Sequence, residues 1–173
     1  RSSAASDVYK RQDQISLRDA LYAMLMASDN ASAIAVAEFV GRDLLARSGR
    51  MGDPQAHFVT QMNTLAKRLE MGSTRFVNAH GLDHQPGPKG YSTAADMAKL
   101  ALEATGRSSF LFYCGQKSRV VVVRSASGER RLKMENTNQL VGRGAVSGLK
   151  TGTTVAAGPC LIATAGRAPK VQE

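Results

Sequence analysis

The sequence predicts an α+β fold in which helices pack on an antiparallel sheet. Helical patterns occupy most of the first 106 residues, and β-branched, strand-like segments begin after residue 117. Short turns, such as the Ala-Ser-Gly-Glu of residues 126–129, join those strands. Because the helices precede the strands instead of alternating with them, the order is typical of an α+β domain.

Four helices are predicted from apolar residues at helical spacing and from the residues that begin and end helices. Ser16 is a candidate N-cap, Pro54 fits a first helical turn, and Ser92 or Thr93 precedes the last helix. Apolar residues at positions 17, 21, 24 and 25 predict the buried stripe of the first helix. The predicted helices span residues 17–27, 31–41, 54–71 and 94–105, and the last three end at Gly41, Gly72 and Gly106.

Four strands are predicted in the second half. Residues 118–125 contain a run of four valines, and residues 130–136 follow a short turn as their partner. Residues 145–154 and 158–167 form a second pair around another turn. Connections this short join antiparallel strands, so one antiparallel sheet is expected.

Composition limits the classes of function. The chain has 173 residues, 43% of them hydrophobic, and a formal net charge of +9. The basic residues are spread along the chain and only 5% of residues are aromatic, which argues against a nucleic-acid interface and leaves an anionic envelope surface compatible. No metal site or cofactor is indicated, because Cys114 and Cys160 lie far apart and His80 and His84 lack a third ligand. The two cysteines are expected either as free thiols or as one disulfide.

Residues 1–12, "RSSAASDVYKRQ", are interpreted as a foreign, adapter-like segment. They are small and polar without periodicity, and they contribute Arg1, Lys10 and Arg11 against Asp7. The domain is therefore predicted to comprise residues 13–173.

Two short motifs are candidates for chemistry: Ser28-Asp29-Asn30 after the first helix and Lys150-Thr151-Gly152 on a strand. Taken alone, Ser28 and Asn30 fit helix caps and Lys150 fits a solvated lysine. Together, in this order, they match two of three motifs of penicillin-binding proteins and class A β-lactamases.

Further stretches extend the match: residues 58–83, "YSTAADMAKLA", "NTNQLV" and "VSGLKTGTTVAAGPCLIATA". With the two motifs, they resemble the D-alanyl-D-alanine carboxypeptidases, the low-molecular-mass penicillin-binding proteins, from about residue 15 to residue 167. The resemblance implies the penicillin-recognising serine hydrolase fold, an antiparallel sheet flanked by helices, which is expected to be incomplete at both ends here. It also implies cleavage of D-Ala-D-Ala stem peptides through an acyl-enzyme.

The resemblance also implies a role for each motif residue. Ser28 relays a proton towards the leaving amine, and Asn30 holds the substrate amide or the lysine of the nucleophile. Lys150 supports proton transfer and carboxylate recognition, while Asp29 points away from the reaction. The remaining implied residues line the substrate: the Thr151 hydroxyl on its carboxylate, Gly152 as a position of close approach, and the Thr153 N–H as an oxyanion donor.

A nucleophile is missing from this pattern. The family places Ser-x-x-Lys on a helix before Ser-x-Asn, whereas here Ser6 and Lys10 are four apart within the foreign-looking segment. Ser147 and Lys150 match the Ser-x-x-Lys pattern in sequence, but residues three apart on a strand lie on opposite faces. Thr64 and Lys67 are helical, but threonine replaces serine. We therefore expect a chain truncated before its first motif that forms no acyl-enzyme.

Two alternatives stay open at this point. A class A β-lactamase would need a deacylating glutamate, and residues 71–96 contain only Asp83 and Asp96 as carboxylates. A non-catalytic remnant would only bind cell-wall peptide. The parent protein is the longer protein of which this chain is expected to be a part. By resemblance, it acts on peptidoglycan pentapeptide, with roles in peptidoglycan biosynthesis and cell shape. By the same resemblance, it is inhibited by β-lactams and works in the periplasm or on the outer face of the cytoplasmic membrane. Its association with the membrane depends on an anchor that is expected outside this chain.

Overall fold

The computed structural model describes residues 12–83 and 87–166. The elements, in chain order, are β1 (Gln14–Ile15), α1 (Leu17–Met26), α2 (Asn30–Arg47), α3 (Pro54–Arg68), α4 (Ala94–Thr105), α5 (Ser108–Cys114), β2 (Ser118–Ser125), β3 (Gly128–Glu135), β4 (Val146–Thr154) and β5 (Gly158–Ala165). The α+β prediction is confirmed. The predicted foreign segment comprises residues 1–12, and residues 1–11 lie outside the described range. This interpretation therefore stays a prediction.

The strands form two antiparallel sheets in the described part of the chain, where the sequence predicted one. The larger sheet has the order β1-β2-β3, and the smaller pairs β4 with β5. Both hairpins have the predicted partners. The strand β1 and the helix α5 were not predicted, because two residues and seven residues are too short for a periodic pattern to emerge.

Helix starts follow the predicted caps. The side chain of Ser16 accepts the N–H of Asp19, and that of Thr93 accepts the N–H of Asp96. Pro54 opens α3 behind Asp53, which is its N-cap. These starts are predictable because a cap satisfies an orphan N–H only two or three residues away.

Two predicted helix ends are wrong. The helix α2 runs through Gly41 to Arg47, and α3 ends at Arg68 before Gly72. Gly41 is buried in mid-helix, where a Cβ atom would lie 2.0 Å from the carbonyl oxygen of Pro54. Glycine is therefore needed here for the close approach of α3, and not as a helix stop.

The core lies between α1 and the larger sheet. Tyr22, Met26 and Val121 are fully buried, with Tyr113 and Leu132 packed against them. The predicted stripe of α1 was placed one residue away from the buried one, since Leu17 is exposed and residues 21, 24 and 25 are half-buried. Tyr22 and Met26 lie on the face of α1 that packs against β2. Which face of the helix is buried depends on the position of the sheet.

Cys114 and Cys160 are both free thiols. Cys114 is buried at the end of α5, and Cys160 is exposed on β5. Among the helices of the described ranges, none combines the length and the apolar character needed to span a bilayer.

Candidate active site

The two predicted motifs meet at one point. The Lys150 Nζ on β4 donates to the Ser28 Oγ at 2.5 Å and to the Thr151 carbonyl oxygen at 2.5 Å. An ammonium group has donors only, so the Ser28 oxygen accepts this bond. The proton of the Ser28 hydroxyl is therefore available for a third group.

Ser28 has a left-handed backbone where the chain leaves α1, with φ at 58°. This turn lets the Asp29 N–H donate to the carbonyl oxygen of Ala23 at 3.1 Å. A non-glycine residue in this region costs about 1–2 kcal/mol, which packing elsewhere must offset. The conformation places the Ser28 hydroxyl against β4 although glycine would fit the turn better.

Asp29 is the helix cap within the motif. Its Oδ2 accepts the Ser32 N–H at 2.7 Å, and the residue is buried. The cap is therefore the middle residue, whereas the motif taken alone favoured Ser28 and Asn30. Asn30 is the first residue of α2 and is half-buried. The Asp29 carboxylate faces the first turn of α2.

Burial changes the chemistry of Lys150. Removal from water lowers the pKa of its ammonium from the ordinary 10.5 to about 8, because desolvation disfavours the charged form. A lysine with this pKa exchanges its proton near neutral pH much more readily than a solvated one. The arrangement can hold a proton at the Ser28 oxygen and return it.

Thr137 joins the site from the "NTNQLV" segment and was not predicted as a site residue. Its Oγ1 lies 2.5 Å from the Thr151 Oγ1 and 3.1 Å from the carbonyl oxygen of Met26, the last residue of α1. The only sequence signal was membership of a segment that resembles the family. Thr137 connects the end of α1 to the middle of β4.

The open half of β4 carries the other predicted residues. Gly152 and Thr153 are exposed and pair with Cys160 and Pro159 of β5. A Cβ at Gly152 would meet no atom within 4 Å, so nothing in the described chain demands glycine there. The first half of β4 is covered instead, since a Cβ at Gly115 would lie 2.6 Å from the Ser147 carbonyl oxygen.

Neither alternative nucleophile is placed for catalysis. The Ser147 Oγ pairs with the Thr164 Oγ1 at 3.1 Å, whereas Lys150 points to Ser28. Thr64 lies on α3 and bonds the Thr60 carbonyl oxygen of its own helix. Ser6 and Lys10 lie outside the described residues.

The loop before α4 braces the far end of β4. Asp83 Oδ2 accepts the N–H of Ala156 at 3.3 Å, and a hydrogen bond from Thr154 lowers the pKa of the Asp83 carboxyl. A cavity of about 290 Å³ lies in this loop between residues 75 and 92, but neither Ser28 nor Lys150 lines it. His80 Nδ1 accepts the Leu82 N–H at 3.2 Å, a local role; His84 lies outside the described residues.

Within residues 12–83 and 87–166, no three His, Cys, Asp or Glu side chains are grouped to hold a metal ion. The side chains that the structure brings together here are the hydroxyls of Ser28, Thr137 and Thr151 and the ammonium of Lys150. Such a set is typical of acyl transfer by a serine and a lysine.

Comparison with known proteins decides the family. The family model described as D-alanyl-D-alanine carboxypeptidase matches residues 1–171. This chain belongs to the D-alanyl-D-alanine carboxypeptidase family. It is 32% identical over 158 residues to the D-alanyl-D-alanine carboxypeptidase DacC of Escherichia coli K12, covering 90% of this chain and 34% of that protein. The chain thus spans about a third of the length of this family member.

Solved structures of the family have the same fold. A mutant of the Streptomyces K15 DD-transpeptidase superposes with a TM-score of 0.79 at 27% identity, covering 94% of this chain and 60% of that one. Penicillin-binding protein D2 of Listeria monocytogenes, in its cefotaxime-bound form, gives 0.69 at 34% identity, covering 88% and 54%. The predicted family and the DD-peptidase fold are confirmed, and they support the carboxypeptidase interpretation over a β-lactamase.

Proposed function

We propose that this chain forms one wall of the active site of a serine-type D-Ala-D-Ala carboxypeptidase. The contact between the Lys150 ammonium and the Ser28 hydroxyl carries the proposal. In the reaction, a serine oxygen attacks the carbonyl between the two D-alanines, the C–N bond breaks, and the departing amine takes a proton. Water then hydrolyses the acyl-enzyme.

Ser28 and Lys150 supply that proton. Lys150 donates to the Ser28 oxygen, so the Ser28 hydroxyl proton is free to pass to the amine of the leaving D-alanine. The lowered pKa of Lys150, about 8, allows it to replace the proton that Ser28 gives up. Asn30, at the start of α2, offers its side-chain amide to the substrate backbone or to the lysine that activates the nucleophile.

The open half of β4 receives the substrate. A peptide that pairs with β4 has its terminal carboxylate at the Thr151 hydroxyl and its reacting carbonyl at the N–H of Thr153. Exposed Gly152 lets the peptide backbone approach, and this approach is the reason we assign for glycine at a position that the chain leaves open. The proposed substrate is therefore the D-Ala-D-Ala end of a peptidoglycan stem peptide.

The same wall fits β-lactams. The solved relative from Listeria monocytogenes is described in cefotaxime-bound and ampicillin-bound forms. A β-lactam carries a carboxylate near a reactive amide, as the substrate does, so Thr151 and Lys150 are proposed to contact it. We place the parent protein where its substrate is, in the periplasm or on the outer face of the cytoplasmic membrane, with a role in peptidoglycan biosynthesis and cell shape.

Peptide binding to the 173-residue chain tests the proposal. N-acetyl-D-Ala-D-Ala is expected to shift the backbone amide signals of Ser28, Asn30 and Thr151–Thr153 with a Kd of about 1 mM. Ser28→Ala should weaken binding, whereas Ser48→Ala, which removes a hydroxyl at the far end of α2, should not. No shift at about 20 mM peptide would contradict the proposal.

Covalent labelling tests the predicted absence of a nucleophile. After incubation with a fluorescent penicillin and denaturing electrophoresis, the chain is expected to carry no label. A labelled band that Ser147→Ala abolishes would show that β4 supplies the nucleophile, against the geometry of Ser147. Binding without labelling is the behaviour of the non-catalytic alternative, and the pairing of Ser147 with Thr164 favours it for this chain.

A further inference from the structure

The hydroxyl of Thr137 has two polar neighbours and one proton. It lies 2.5 Å from the Thr151 Oγ1 and 3.1 Å from the Met26 carbonyl oxygen. That carbonyl also accepts the backbone N–H of Thr137 at 2.9 Å. The Met26 oxygen is therefore satisfied whether or not the hydroxyl donates to it.

Two proton arrangements are possible at this junction. If Thr137 donates to Met26, its oxygen accepts from Thr151, and the Thr151 proton is occupied. If Thr137 donates to Thr151, the Thr151 proton is free for a third group. Rotation of both hydroxyls interconverts the two arrangements, and the N–H of Thr137 keeps the Met26 carbonyl oxygen hydrogen-bonded in each.

We propose that Thr137 is a specificity-determining residue that makes Thr151 a donor towards a terminal carboxylate. This inference rests on the proposed function, which assigns Thr151 to the substrate carboxylate. A carboxylate accepts only, so its arrival favours the arrangement in which Thr137 donates to Thr151 and Thr151 donates to the ligand. A hydroxyl that accepts one hydrogen bond is polarised and becomes a stronger donor in the next.

The charge of the ligand decides the size of the effect. Hydrogen bonds to an ionised acceptor are about twice as strong as those to a neutral one. A peptide with a C-terminal amide therefore gains less from the aligned pair of hydroxyls than the free acid does. Loss of the Thr137 hydroxyl should therefore reduce the preference for the free acid over the amide, and it should change the affinity for the amide only slightly.

The test is a titration of the full chain with N-acetyl-D-Ala-D-Ala and, separately, with the same peptide carrying a C-terminal amide. Binding is measured from the shifts of the backbone amide signals. Thr137→Val keeps the β-branched shape and the N–H bond to Met26 but removes the hydroxyl. It should weaken binding of the acid about threefold to tenfold and that of the amide by less than about twofold. Thr137→Ser should restore the acid preference, and Thr60→Val, which removes a hydroxyl bonded only to its own helix, should leave it unchanged.

Each result has a defined meaning. Equal weakening of acid and amide by Thr137→Val would show a merely structural role and overturn the inference, as would unchanged binding of both. The serine variant guards against misfolding of the valine variant, since its failure to regain the acid preference would also overturn the inference. Failure of the wild-type chain to bind either peptide would contradict the proposed function together with it.

Discussion

Replacement of Lys150 by methionine should change the pH dependence of stability in a direction set by burial. The pKa of the Lys150 ammonium in the folded chain is about 8, against 10.5 in water. Between these values the unfolded chain binds more protons than the folded one. The stability of the wild type therefore rises with pH in this window, and this added stability is lost again as pH falls through 8.

The size of the effect follows from the pKa difference. Below pH 8, keeping the charged lysine in place costs at most about 3 kcal/mol, at about 1.4 kcal/mol per pKa unit. Lys150 is half-buried, so screening by water reduces this to about 1–3 kcal/mol. Methionine has no charge to desolvate. The stability of the Lys150→Met variant relative to wild type should thus fall by about 1–2 kcal/mol from pH 7 to pH 9.5.

Urea denaturation of both proteins at the two pH values measures this difference. The lost hydrogen bonds to Ser28 and Thr151 add an offset that changes little with pH, and the other titrating groups cancel between the variants. A relative stability that is constant within about 0.5 kcal/mol from pH 7 to pH 9.5 would refute the argument. Such a result would mean that the Lys150 ammonium is solvated as an ordinary surface lysine.

Three further outcomes follow from local geometry. Gly41→Ala should destabilise the chain by about 1–3 kcal/mol in urea denaturation, because the new Cβ would lie 2.0 Å from the Pro54 carbonyl oxygen. Ser28→Gly should be about 1 kcal/mol more stable than Ser28→Ala, since both lose the hydroxyl and only glycine favours the left-handed backbone. A maleimide should label exposed Cys160 well before Cys114, because burial raises the pKa of the Cys114 thiol and restricts access to it.

Each of these has a contrary result. A Gly41→Ala variant as stable as wild type would mean that α3 can move away from α2 without cost. Equal stability of the two Ser28 variants would mean that the turn after α1 relaxes when the hydroxyl is lost. Labelling of both cysteines at one rate, measured by mass spectrometry on the native chain, would show that the end of α5 opens readily.

Features governed by near neighbours could be predicted from the sequence. The caps Ser16 and Thr93 bond N–H groups three residues away, and the two hairpins follow from strand patterns on either side of a short turn. Gly41 shows where this reasoning ends. A glycine reads as a helix stop by itself, and only the position of Pro54 shows that it permits a close helix contact.

The sequence by itself determined the α+β class, the hairpin partners and, by resemblance, the two motifs of the cleft. Only the tertiary structure decided that Lys150 meets Ser28 across 122 positions of the chain, that Asp29 is the cap, and that Thr137 contacts Thr151. Propensities and spacing act over a few residues, whereas a hydrogen bond between distant side chains depends on how helices and sheets pack. The lowered pKa of Lys150 arises in the same way, because burial exists only once those elements have come together.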